Sequence, residues 1–252
     1  MGSYMQESER RKAAIAVEIA ALGPDHPWAG VYHASMPLMY EGMVMAAPRS
    51  GYVEVTHYDC GGPAIPHLGE VSEANGSVHF TPAFGDSWRA APVHWGERHY
   101  LVPEDRFLSF CQEINAGLQK RSPQRFGGRF LLRKGDECKR ATGLPTLPEQ
   151  YLRCIFKRPI LVTVTEVIEL PHSPGDGHIR EFHATIDRGN ADGIFASATF
   201  YELKALNIKF GEVVEVHQQT AVMKVLTMDG EPMEAGSVFT TRPVPGSNGP
   251  FS

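Results

Sequence analysis

The chain has 252 residues, 42% of them hydrophobic and 21% charged, with a net charge of −5. That composition describes a globular chain and excludes a disordered one. No apolar run approaches the roughly 20 residues of a membrane helix, so no membrane span is expected.

The first predicted element is a helix in RRKAAIAVEIAALG, residues 10–23, rich in alanine, with Ile15, Ile19 and Leu22 on one stripe and Gly23-Pro24 as the stop. Its basic start and apolar stretch loosely imitate a secretory signal. Glu18 interrupts the stretch and no A-x-A cleavage site follows, so a cytoplasmic protein is expected, periplasmic if a signal is removed. Short strands follow: WAGVY (28–32), YEGMVMAA (40–47) and GYVEVTHY (51–58). GEVSEANGSVHFTPAF predicts a hairpin around Asn75-Gly76, the dipeptide that a type I′ turn favours. HWGERHYLVPED (94–105) predicts one more strand. DRFLSFCQEINAGL then predicts a helix, with Phe107, Phe110, Cys111, Ile114 and Leu118 on its apolar face and Gly117 near its end.

Residues 119–158 read as a basic connector, with one short strand-like run in SPQRFGGRFLLRKGDE and an extended, proline-punctuated stretch in TGLPTLPEQ. Between Gly117 and Arg158 eleven Lys and Arg residues meet only Asp136, Glu137 and Glu149, while the rest of the chain is acidic. From RPILVTVTEVIEL onward, short strands recur without helices: IREFHATIDRG, IFASATFYE, GEVVEVHQQTAVMKVLT and SVFTTRP. That spacing predicts a small closed barrel over 159–243, ahead of a disordered tail at 244–252. The expected fold class is therefore mainly β (α+β). An N-terminal helix and leader (1–25) precede a β-rich domain with a closing helix (26–118), the connector and the barrel.

Two resemblances attach to these segments. HPWAGVY, SGYVEVTHYDCGG, HWGERHYLVPEDRFLSFCQEIN and GRFLLRKGDE resemble a family of uncharacterised bacterial proteins sharing a WAG-Y opening and a WG-R-YL strand. This implies a bacterial origin and a β-rich N-terminal domain, and no known activity. FHATIDRGNADGIFASATFYELKALNIKFGEVVEVHQQTAVMKVL is similar to the small β-barrel modules of bacterial scaffold proteins such as MreC. Asp187, Gly189, Asp192 and Gly193 fit the turn of that pattern, and Gly211, Val213 and Val216 the next strand. This resemblance implies a module that binds protein or packs against itself.

Four sets of residues carry candidate chemistry. HYDCGGPAIPH crowds His57, Asp59, Cys60 and His67 into eleven residues. Strand alternation puts His57 and Asp59 on one face and Cys60 on the other, which disfavours a metal site. Cys60 with His57 stays as a candidate nucleophile and base. Trp28, Tyr32, Trp95, Arg98 and Tyr100 form a candidate ligand-binding row, or else core and stacking residues. Arg125, Arg129, Arg133 and Lys134, with Arg121, Lys139 and Arg140, form a candidate nucleic-acid surface. No CxxC pair, phosphate loop or other catalytic signature occurs, and no metal or cofactor is expected. The leading expectation is a non-enzymatic binding or scaffold protein that recognises a protein or small ligand, or its own kind. A nucleic-acid-binding protein is the first alternative, and a thiol- or metal-dependent hydrolase centred on Cys60 the second.

Overall fold

The computed structural model describes residues 2–36, 40–58, 66–117, 128–171, 179–203, 209–228 and 232–242. It is mainly β, with two closed antiparallel barrels and few helices. The chain divides into two units, Met1–Phe110 with Leu118–Pro148, and Cys111–Gly117 with Glu149–Ser252.

The first unit opens with α1 (Gly2–Leu22), which packs on the second and third strands. Ile15 is fully buried there against Ala47, Val53, Val55 and Leu68. Glu18, the residue that breaks the apolar stretch, accepts the backbone N–H groups of Arg49 and Ser50 at 3.0 and 2.8 Å. It thereby ties the helix to the turn between those strands.

The barrel strands are β1 (Gly30–Met36), β2 (Tyr40–Ala47), β3 (Gly51–Tyr58), β4 (His67–Ala74), β5 (Ser77–Pro82), β6 (Trp88–Trp95), β7 (Arg98–Pro103) and β8 (Gly128–Arg133). Each pairs with the next, and β8 pairs back on β1. An eight-stranded barrel has an interior about as wide as its own side chains. Here Trp28, Tyr32, Tyr52, Phe80 and Leu101 form its buried cluster. Phe80 stacks on Trp88 at 3.9 Å, and Tyr52 meets Phe80 edge-on at 5.2 Å.

Several elements match the sequence reading and some differ. Asn75 and Gly76 turn the β4–β5 hairpin with φ of 55° and 77°. HWGERHYLVPED, expected as one strand, is instead the tip of a hairpin in which Gly96-Glu97 separates β6 from β7. β6 was hidden by Pro92, which lacks the N–H donor of an interior strand residue. Within the basic segment, the strand-like run of SPQRFGGRFLLRKGDE holds β8. Gly128–Arg133 is the strand that closes the first barrel, because buried Phe130, Leu131 and Leu132 carry a strand's apolar content.

α2 (Phe107–Ala116) follows a 3₁₀ turn at Glu104–Arg106 and ends at Gly117, whose N–H donates to Ile114 O. Phe107, Phe110 and Cys111 are buried on its apolar face. The second unit contains α3 (Glu149–Leu152), β9 (Leu161–Glu169), β10 (Ile179–Ile186), β11 (Thr199–Glu202), β12 (Phe210–Val216), β13 (Ala221–Met228) and β14 (Val238–Thr240). Its strand order is β10-β13-β12-β11-β14-β9, a Greek-key arrangement closed by β9 on β10. Val162, Val164, Phe182, Phe200, Met223 and Phe239 fill it. Of the predicted strand IFASATFYE only Thr199–Glu202 is extended, since Ser197 takes φ of 68° just before it. Among the described residues no helix is long and apolar enough to cross a membrane.

Candidate functional site

Among the described residues the sequence-derived candidates do not converge on one point. Asp59 and Cys60 lie outside the described residues. His57 pairs with Glu41, whereas His67 pairs with Glu54, three residues from His57 along β3. Among the described residues no group of three His, Cys, Asp or Glu is placed to hold a metal ion.

The aromatic row divides between two faces of the sheet. Tyr32 belongs to the buried cluster with Leu101, and its hydroxyl donates to Trp28 O at 2.7 Å. Trp28 donates its indole N–H to Glu73 at 2.7 Å. Trp95 and Tyr100 alternate with His94, His99 and Leu101, so they take the opposite face, where both meet the edge of Phe110. Arg98 is 4% exposed and donates to the carbonyls of Lys139 and Glu137 at 2.8 and 3.0 Å. Trp95 donates to Gly143 O at 3.0 Å.

These bonds belong to a strap, residues 134–147, laced onto the β6–β7 hairpin. Thr146 N–H donates to His94 O, and His94 N–H donates to the Thr146 hydroxyl, both at 2.8 Å. Asp136, 2% exposed, accepts the backbone N–H of His99 at 2.8 Å and lies 2.7 Å from its Nδ1. Lys139 reaches the other carboxylate oxygen at 2.5 Å. Burial pushes the Asp136 carboxyl upward, but Lys139 and the His99 hydrogen bonds outweigh it and hold the group below the usual carboxylate range. Burial, with His99 and Arg133 beside it, lowers His94 below the ordinary histidine value, so His94 is neutral at pH 7. An orienting carboxylate on a histidine is the geometry of a catalytic dyad. Here the same carboxylate is committed to pinning the strap.

The basic segment is divided as well. Arg125 and Arg121 lie outside the described residues, and Arg129 sits on β8. Arg133 is consumed by the fold, donating to the carbonyls of Pro24 and His26 at 2.9 and 2.8 Å and lying over the Tyr32 ring. Lys134 is exposed, and Lys139 pairs with Asp136. Arg153, Lys157 and Arg158 fall in the second unit, where they line an open cleft of about 730 Å³.

That cleft is a candidate site among the described residues. Its walls are the segment 153–161 ahead of β9 and the loop 188–193 after β10. Four cations line it, Arg153, Lys157, Arg158 and Arg188, against one carboxylate, Asp192. Arg153, Lys157 and Arg158 are exposed and form no ion pair with a described residue, whereas Arg188 lies 3.5 Å from Asp192.

The fold fixes both walls. Asn115, 7% exposed on α2, accepts Phe156 N–H at 2.8 Å and donates to Cys154 O at 2.9 Å, so one side-chain amide grips the backbone on both sides of Ile155. Ile160 N–H donates to the Thr241 hydroxyl at 3.1 Å and Ile160 O accepts Thr241 N–H at 3.1 Å. On the other wall, Asn190 and Ala191 donate to the carbonyls of His217 and Gln218 at 2.8 and 2.9 Å. Gly189 approaches that hairpin so closely that a Cβ would lie 2.5 Å from His217 O, so no larger residue fits unmoved.

Sequence reasoning counted Arg153, Lys157 and Arg158 in the basic segment without singling them out, and it missed Arg188, Phe156 and Asn115. The available signal was RCIFKRP, three cations interleaved with apolar residues. The buried thiols of the second unit offer no nucleophile. Burial pushes Cys111 up to about 12, and it raises Cys154 despite the nearby Arg153.

The geometry thus defines a two-barrel protein with a cationic cleft on the second barrel. The chain matches no protein-family model, no curated protein and no solved structure.

Proposed function

We propose that this is a non-enzymatic binding protein that holds an anionic ligand in the cleft of the second barrel. The observation that carries the reading is the convergence of four cations and one carboxylate on a single open cleft. Three of those cations are free of ion pairs with described residues, while Arg98, Arg133 and Lys139 of the first unit are committed to the fold. Desolvating a cluster of like charges is unfavourable by itself and is offset by a ligand of opposite sign.

Calorimetric titration of the full chain with inorganic tripolyphosphate at low salt tests it. Wild type is expected to bind, and the double substitution Lys157→Glu, Arg158→Glu is expected to weaken binding at least about tenfold, the equivalent of about 1.4 kcal/mol. Absence of binding in the wild type at low salt overturns the reading.

A further inference from the structure

The charges alone do not account for the cleft. Phe156 and Leu161 line it together with Ile155, Pro159 and Ile160. Leu161 is 56% exposed, unusually wet for a leucine beside a barrel core. Phe156 packs one side on the core and on Phe195, with ring centroids 5.4 Å apart and planes tilted by 32°. Its remaining surface borders the cleft. The Asn115 grip on the Phe156 N–H fixes the backbone that carries this ring.

The geometry points to a phosphorylated nucleoside as the ligand of this cleft, with the base against Phe156 and Leu161 and the phosphates on Arg153, Lys157, Arg158 and Arg188. This rests on the anion-binding reading above and narrows its chemistry. A bare inorganic anion would satisfy the cations and leave the aromatic wall wet. A carboxylate carries too little charge for four cations. An acyl chain needs an enclosed apolar channel, whereas this cleft is open to solvent and lined by four cations. A nucleobase buries only its two faces, and it stacks on an aromatic ring and on guanidinium planes alike. Three of the four cations are arginines, whose planar fork matches phosphate oxygens in pairs. The volume of about 730 Å³ is in the range of sites that hold ligands of this size. The nucleoside phosphate has two sources, a free nucleotide or one unit of a single-stranded nucleic acid.

Calorimetry on the full chain tests the inference with three probes: inorganic tripolyphosphate, a nucleoside triphosphate and a single-stranded oligonucleotide. The nucleoside triphosphate is expected to bind about tenfold or more tightly than tripolyphosphate, in line with base stacking on one aromatic side chain. Phe156→Leu keeps the core contact and removes the ring. It is expected to bring the nucleoside triphosphate down to the tripolyphosphate value and to leave tripolyphosphate unchanged. Equal affinity for the two triphosphates in the wild type overturns the inference and leaves the anion reading standing. Binding of none of the three overturns both. Tighter binding of the oligonucleotide than of the free nucleotide, with a steeper salt dependence and the same loss in Phe156→Leu, supports the inference and names a strand as the source. The reverse order supports it with a free nucleotide as the source.

Discussion

Asn115 belongs to α2, and its amide is the only side chain described that bonds to both Cys154 O and Phe156 N–H. Asn115→Ala removes the partner of the buried Cys154 O and of the part-buried Phe156 N–H, which costs about 1–3 kcal/mol. Chemical denaturation is expected to show that loss, and tripolyphosphate affinity is expected to fall with it because the wall carrying Arg153 and Lys157 is released. A second residue-scale prediction concerns acid. The folded chain holds Asp136 below its ordinary value of 3.8, so its contribution is complete above about pH 4 and is lost as pH falls through the lower folded value. His94 is lowered from 6.5, so the unfolded chain takes up its proton first and the fold weakens as pH drops below about 6.5. Both act in one direction. Thermal melts from pH 7 to pH 3 are expected to show falling midpoints, with a smaller fall below pH 4 in Asp136→Asn. An identical acid limb in that variant contradicts the assignment.

At the scale of elements, the alternating and β-branched runs were legible and the proline-interrupted one was not. RPILVTVTEVIEL reads as a strand because its apolar residues repeat with period two, and β9 lies there. β6 contains Pro92, so local composition pointed away from a strand that tertiary pairing nonetheless forms, whereas β8 begins at Gly128 inside the run SPQRFGGRFLLRKGDE, which reads as strand-like despite its cations. The cleft was illegible for a related reason. Its walls are a segment before β9 and a loop after β10, about thirty residues apart, and the antiparallel pairing of β9 with β10 brings them together. The aromatic row shows the converse. Trp28, Tyr32, Trp95, Arg98 and Tyr100 suggest a site by residue type, yet their polar atoms bond to the protein itself. The loop wall yields a prediction of its own. Gly189→Ala places a Cβ against His217 O and Thr220 N, both backbone atoms, and the forced shift costs about 1–3 kcal/mol. The variant is expected to melt earlier and to bind tripolyphosphate more weakly, since Arg188 rides on that loop.

For the molecule as a whole, the division into two units redraws the boundary that composition suggested. A fragment of residues 1–118 omits β8 and leaves β1 and β7 as open edges, which invite intermolecular pairing. It is expected to aggregate in gel filtration, while a fragment of residues 1–148 is expected to run as a folded species with β-type circular dichroism. The charge distribution is also redrawn. An excess of basic residues that looked like one stripe on a connector is shared between the two units, and Arg153, Lys157 and Arg158, which form no ion pair with a described residue, line the cleft of the second. The most direct test of this account is calorimetric titration of the full chain with tripolyphosphate across a salt series. The account predicts binding that weakens about tenfold or more between roughly 0.05 and 0.5 M salt, as screening of an exposed cationic site requires, and that is nearly absent in Lys157→Glu, Arg158→Glu. Wild-type binding that ignores salt, or that survives the double charge reversal unchanged, contradicts it.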